Sequence, residues 1–245
     1  MKNMLSKKYF HILVVAIIIL ILVVITLFIM LRYSVEGESN MPFELSKISI
    51  ISTSQGVDKP TTDTKWAFDI CQNNDIYIYI DKNKEHSKEE LIKYVSIENI
   101  QIEAKNKDNI KLYKPDEIDE KMMFKNTEEN KVNMLEYLGN NESNLKTLKI
   151  SNQGGMVAFR CSNEKIAEYK SNEEVINHNE LLKKSNISNE DLKINIKFDL
   201  IIKLEKDTKY KSTIKLELPS GNIIETGTNS KEYVDNSKIV FKKIK

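Results

Sequence analysis

Cysteine, histidine, proline and glycine are all scarce in this chain of 245 residues: two, three, four and seven. Two cysteines and three dispersed histidines leave little material for a metal centre, and no pair of them has ligand spacing. So few glycines and prolines exclude a collagen-like or Gly/Pro-rich low-complexity chain. An excess of one charge is lacking too. Lysine and arginine total 37 against 36 for aspartate and glutamate, a formal net charge of +1. Phosphate neutralisation needs a basic excess, so nucleic acid is not expected as a partner. No G-x-S-x-G occurs, and neither cysteine stands in a recognisable nucleophile context. Charged residues make up 30% of the chain, too many for a polytopic membrane protein, while 40% apolar residues suffice for a core.

The strongest positive signal is at the N-terminus. Ile12 to Leu31 is a run of 20 residues whose only polar member is Thr26. As a helix it would span about 30 Å, the hydrocarbon thickness of a bilayer. Thr26 can return its hydroxyl to a carbonyl one turn earlier. Tyr9, Phe10 and Tyr33 suit the two lipid–water interfaces. Lys2, Lys7 and Lys8 precede the run with no acid among them; Arg32, then Glu36, Glu38 and Glu44 follow it. The basic flank is therefore expected in the cytoplasm and the bulk of the chain outside. A cleaved signal peptide fits less well, because the apolar core is long and no A-x-A site follows. The expected organisation is a cytoplasmic tail at 1–11, a transmembrane helix at 12–31, a linker at 33–42 and an extracytoplasmic domain at 43–245. Ten flexible linker residues reach roughly 17 Å, so that domain would hang near the membrane.

After the linker the pattern is mainly strand, predicting an antiparallel β-sandwich-like fold with a few short helices. From Leu192 to Glu205 one face carries Leu192, Ile194, Ile196, Phe198, Leu200, Ile202 and Leu204, and the other is polar apart from Ile201. A turn at Lys206–Thr208 and a second alternation through Leu218 predict a hairpin, stopped at Pro219-Ser220-Gly221-Asn222, where Gly221 can take a positive φ. Further strands are expected at 46–52, 66–71, 75–81, 97–104, 110–113, 223–224 and 238–244. Asp75–Asp81 suits a central strand, since both its faces can be covered. A second hairpin, Leu145–Ile150 with Met156–Cys161, is expected around Asn152-Gln153-Gly154-Gly155. Capping-box spacings at Ser87–Glu90 and Ser171–Glu174 predict two short helices, the first carrying Leu91, Ile92 and Val95, the second Val175, Ile176, Leu181 and Leu182. The acidic stretch Lys114–Lys131 predicts a long loop or an inter-domain linker. One large sandwich or two small ones divided near 115–132 both fit.

Cys71 and Cys161 are the one disulfide candidate, since an extracytoplasmic location permits the bond. Alternation puts Cys71 opposite Trp66, Phe68 and Ile70 but Cys161 beside Val157 and Phe159, so two separate thiols are favoured unless a bulge intervenes. His11, His86 and His178 are scattered. Gly154-Gly155 reads as a turn rather than a phosphate nest, since no helix follows. Asp116–Glu120 lacks the order of a calcium loop. The sequons at Asn141 and Asn186 are what an asparagine-rich chain produces by chance. No catalytic, metal or cofactor-binding residue is assigned and no cofactor is expected.

Four stretches together carry a resemblance: Met41-Pro42-Phe43-Glu44-Leu45-Ser46-Lys47-Ile48, Gln72-Asn73-Asn74-Asp75-Ile76-Tyr77, Ile150 to Gly155, and Leu218 to Glu225. The chain resembles a family of uncharacterised single-pass membrane proteins from low-GC Gram-positive bacteria. The resemblance implies a plasma-membrane location and brings no activity with it. The expected function is a membrane-anchored binding or assembly module acting close to the bilayer, with a partner in or on the same membrane. The alternative is an anchored envelope hydrolase whose triad assembles only in the fold. A signalling sensor is disfavoured, because the cytoplasmic tail has no room for an output domain.

Overall fold

The computed structural model describes residues 13–29, 41–86, 89–116, 123–141, 148–234 and 239–244. The chain divides into two units, Met1–Met41 and Pro42–Lys245. In the first, helix α1 is described over 13–29, seventeen residues with exposed side chains. The Thr26 hydroxyl donates to the Leu22 carbonyl at 2.8 Å, as expected of a lone hydroxyl on an apolar helix. Among the described residues no helix is long and apolar enough to cross a membrane. Residues 12, 30 and 31 of the apolar run lie outside them.

The second unit is mainly β, with two sheets and a few short helices. The first sheet has the order β10-β1-β2-β7-β4, from Thr228–Tyr233, Phe43–Asp58, Trp66–Lys82, Gly155–Ser171 and Ile110–Tyr113. The second has the order β11-β9-β8-β3-β5-β6, from Lys242–Ile244, Lys209–Leu218, Ile194–Leu204, Ile92–Ala104, Leu135–Gly139 and Lys149–Ile150. All pairings are antiparallel except β5 with β6. The sheets meet through Phe159 and Phe198, edge to face with centroids 5.5 Å apart. Where β4 stops covering β7, the Tyr137 hydroxyl donates to the Ala158 carbonyl at 2.5 Å and accepts from the Ala158 amide at 3.0 Å.

Isoleucine is the commonest residue of this core. Ile48, Ile50, Ile76, Ile78 and Ile80 line the first sheet; Ile194, Ile196 and Ile202 face them from the second, all essentially inaccessible. A β-branched side chain fits the pleat and loses little rotamer freedom there. β2 runs for 17 residues, about 56 Å at 3.3 Å per residue. Its far end is covered instead by short helices α2 (Leu181–Lys184), α3 (Asn189–Leu192) and α4 (Ile223–Thr226), whose Leu181, Leu182, Leu192 and Ile223 bury Phe68 and Ile70. Between this satellite cluster and the main core lie the buried polar residues Ser52, Gln72, Asn74 and Asn163. Asn74 ties Ser52 and Gln72 together, accepting from Ser52 at 2.8 Å and Gln72 at 3.3 Å and donating to the Cys161 carbonyl at 3.1 Å, while Asn163 donates to the Asp191 carbonyl at 3.3 Å.

Several local expectations are corrected. Ile92 and Val95 belong to strand β3, not to a helix capped at Ser87; Ser87 and Lys88 lie outside the described residues. Val95 and Ile97 recur every second residue as buried positions, and the adjoining sheet rewards that period over a local cap. Ser171 ends strand β7, and it is Asn177 that accepts the capping bond, from the Asn179 amide, ahead of α2. Val175 is left exposed. The segments 66–71 and 75–81 form one strand with its irregularity between Ile70 and Gln72. The strands on either side of residues 152–154 are no hairpin. β6 pairs with β5 in the second sheet and β7 with β2 in the first, so the turn passes between sheets. Gly154 makes it with φ +113°, where a Cβ would stand 2.6 Å from the Ile80 carbonyl oxygen. Ile223-Ile224 form a helical turn, closed by Gly227 at φ 70°, and Gly221 does not take a positive φ. Of the expected strand 238–244, the described strand covers Lys242–Ile244.

Candidate functional site

The chain crosses from the second sheet to the first after β9, and a groove lies beside this crossing. Pro219 ends β9. The Ser220 amide then donates to the Ser52 hydroxyl at 2.9 Å, and the Ser220 hydroxyl to the Asn229 carbonyl at 3.1 Å. Two sheet margins, β9 and β10, are thereby held together at one end. β11 pairs with β9 only along Lys209–Lys211. Among the described residues, nothing pairs with the outward side of Ser212–Leu218, nor with that of β10. The groove beside these bare edges has a volume of about 940 Å³. Its walls are Ile48, Lys231 and Tyr233 of the first sheet, Gln101, Glu103, Asn195, Lys197, Thr213, Lys215 and Glu217 of the second, and Ile239. Lys231 lies over the Tyr233 ring at 4.7 Å. The Asn195 Oδ1 is buried with no hydrogen-bond partner. Among the described residues the lining holds no histidine, cysteine or serine. It offers backbone donors and acceptors at an edge, apolar side chains and charges of both signs. Those are the means of holding an extended chain segment.

A second concentration of polar groups lies on the outer face of the first sheet. Asp75 and Arg160 are direct cross-strand partners on β2 and β7. Arg160 donates twice, Nε to Oδ1 at 2.6 Å and Nη2 to Oδ2 at 3.0 Å, and a third time from Nη1 to Asn126 Oδ1 at 3.1 Å. Its guanidinium stands 5.1 Å from the centroid of buried Phe124, whose ring meets Tyr77 edge-on at 6.2 Å. Asn126 also donates to Asn73 and Ser162. The segment 123–127 is thus fastened across the sheet by one arginine fork and one aromatic. Burial, then the charge of Asp75, pushes the Tyr77 hydroxyl up to about 12 against the pull of Arg160. Tyr113 is pushed higher by burial and by its bond to Glu164. Asp75, Arg160, Asn126, Asn73 and Ser162 bond one another within the fold, so this cluster reads as architecture.

The residues singled out in the sequence do not converge. Cys71 and Cys161 are both buried and free. Cys71 falls at the irregularity of β2, while Cys161 faces the core opposite Asn74. Burial pushes both thiols up, Cys161 to about 12. Ellman's reagent is therefore expected to find both thiols in denaturant and neither quickly in the native chain, with Cys71 the faster; no thiol in denaturant would mean a disulfide. His178 packs edge-on against Phe68 at 5.4 Å in the satellite cluster. His86 sits in the turn after β2, and His11 lies outside the described residues. Asp116 pairs with Lys125 at 3.1 Å, and residues 117–122 are not described. Among the described residues no group of three acidic, histidine or cysteine side chains could hold a metal. Sequence reasoning missed both the groove and the Asp75–Arg160 fork. The fork had a signal: Arg160 is the one arginine after residue 32 in a lysine-rich chain. Only arginine makes the bidentate pair. The groove had none, because it depends on which strand edges stay unpaired. Comparison of the chain with protein-family models, curated proteins and solved structures finds no match.

Proposed function

We propose that this is a membrane-anchored, extracytoplasmic β-sandwich that binds an extended segment of a partner in or on the same membrane. The run Ile12–Leu31 would serve as a single transmembrane anchor with its basic flank in the cytoplasm. The observation that carries the binding role is the groove beside the margins of β9 and β10, which are bare among the described residues. An unpaired edge is a template for strand addition, with main-chain bonds supplying affinity and alternate side chains specificity. Placing a photoreactive amino acid at Thr213 or Glu217, both exposed on β9, should yield a discrete crosslinked neighbour in native membranes. The same group at Lys65, in the loop before β2, should not. Equal crosslinking at both positions, or none at β9, would sink the reading. Hydrolysis of envelope material by the purified chain would favour the enzyme alternative.

A further inference from the structure

The outward face of the second sheet sets lysine against lysine. Lys203 stands directly opposite Lys209, and Lys197 opposite Lys215, across β8 and β9. Lys211 stands opposite Lys242 across β9 and β11. Like charges in direct cross-strand register destabilise a sheet, and three such pairs share one face. Two of the six lysines are neutralised locally, Lys203 by Asp207 at 2.8 Å and Lys211 by Asp199 at 3.4 Å. Asp199 is committed further, accepting from Thr213 at 2.6 Å and Asn99 at 2.9 Å. Lys197, Lys209, Lys215 and Lys242 make no ion pair with any described residue. The other acids of this face, Glu98, Glu103, Glu136 and Glu217, lie on the flanking strands β3 and β5 or at the far end of β9. The result is a lysine stripe along β8, β9 and β11, about 20 Å long at 3.4 Å per residue.

We propose that this stripe rests on anionic lipid headgroups of the membrane that holds the chain, a reading that presupposes the anchor proposed above. Charge complementarity is the first argument. The second is what the stripe lacks. Protein interfaces are anchored by aromatic residues in desolvated pockets; here Tyr94 lies under Lys203 at 5.8 Å and Ile201 is buried at 8% exposure. Diffuse charge without an anchor suits a diffuse anionic surface. The −2 balance of residues 32–245 hides this, because apart from Asp199 and Glu217 the acids of this face stand off strands β8, β9 and β11.

The test is lysine acylation of the full chain in lipid nanodiscs, read site by site by mass spectrometry. Discs of phosphatidylcholine alone are compared with discs containing about one third phosphatidylglycerol. Acylation at Lys209 and Lys242, the two unpaired lysines outside the groove, should slow at least about fivefold in the anionic discs and recover in high salt. Lys65 and Lys111, on the first sheet and its loops, should not change. Equal rates in both kinds of disc, in a chain that stays with both, would overturn this proposal and leave the anchor standing. A chain that stays with neither disc overturns both. Protection seen in native membranes but in neither disc would assign the stripe to a protein or polymer and overturn the lipid assignment.

Discussion

Two lysines set into the apolar run, Ile19→Lys with Val23→Lys, are expected to release the chain from the membrane. A lysine at the centre of a spanning helix costs about 2.5–3.5 kcal/mol, and each replaced aliphatic contributed a few tenths in the other direction, so the pair shifts insertion by about 6–8 kcal/mol. Both positions lie inside helix α1. Residues 1–31 carry a charge of +3, which favours the lipid surface but cannot hold a chain there alone. The parent chain should resist alkaline carbonate extraction and the double variant should not. Release of the parent would overturn the anchor. External protease on spheroplasts should digest residues 42–245 while sparing an N-terminal tag, and the reverse would overturn the orientation.

Arg160→Ala is expected to be the most damaging single change in the β unit. It strips Asp75, whose side chain is 15% exposed, of both charge-assisted bonds, and it takes a partner from Asn126 and a cation from the face of Phe124. Leaving one half of such a pair uncompensated costs about 3–5 kcal/mol, which in a domain of this size lowers the melting temperature by roughly 10 °C. Arg160→Lys keeps the charge but loses the fork, so it should fall between parent and alanine. Asp75→Asn with Arg160→Ala should cost less than the sum of the two single changes, because the second no longer abandons a carboxylate. Full additivity in urea denaturation would show that the fork contributes nothing as a pair.

Much of the β unit was legible in local pattern. The hairpin of β8 and β9 follows from strict alternation with a polar turn, and β2 as a central strand follows from covered residues on both faces. The errors cluster where local and tertiary preferences conflict. The spacing at Ser87–Glu90 advertises a helix, yet Ile92, Val95 and Ile97 gain more by pairing with β8. The turn at Asn152–Gly155 looks the same to the sequence whether the strands it joins pair with one another or part to different sheets. Pairing partners lie too far along the chain to be read from it.

The amino-acid order by itself determined the apolar run at the N-terminus, the strand-rich character of the rest and the absence of local catalytic motifs, since each rests on composition or short-range period. Tertiary structure alone decided which edges remain bare and which side chains face each other. The lysines of β8 look like an ordinary wet face in the sequence. Only the register of β9 and β11 shows that they stand opposite other lysines, and register is a property of the pairing, not of either strand.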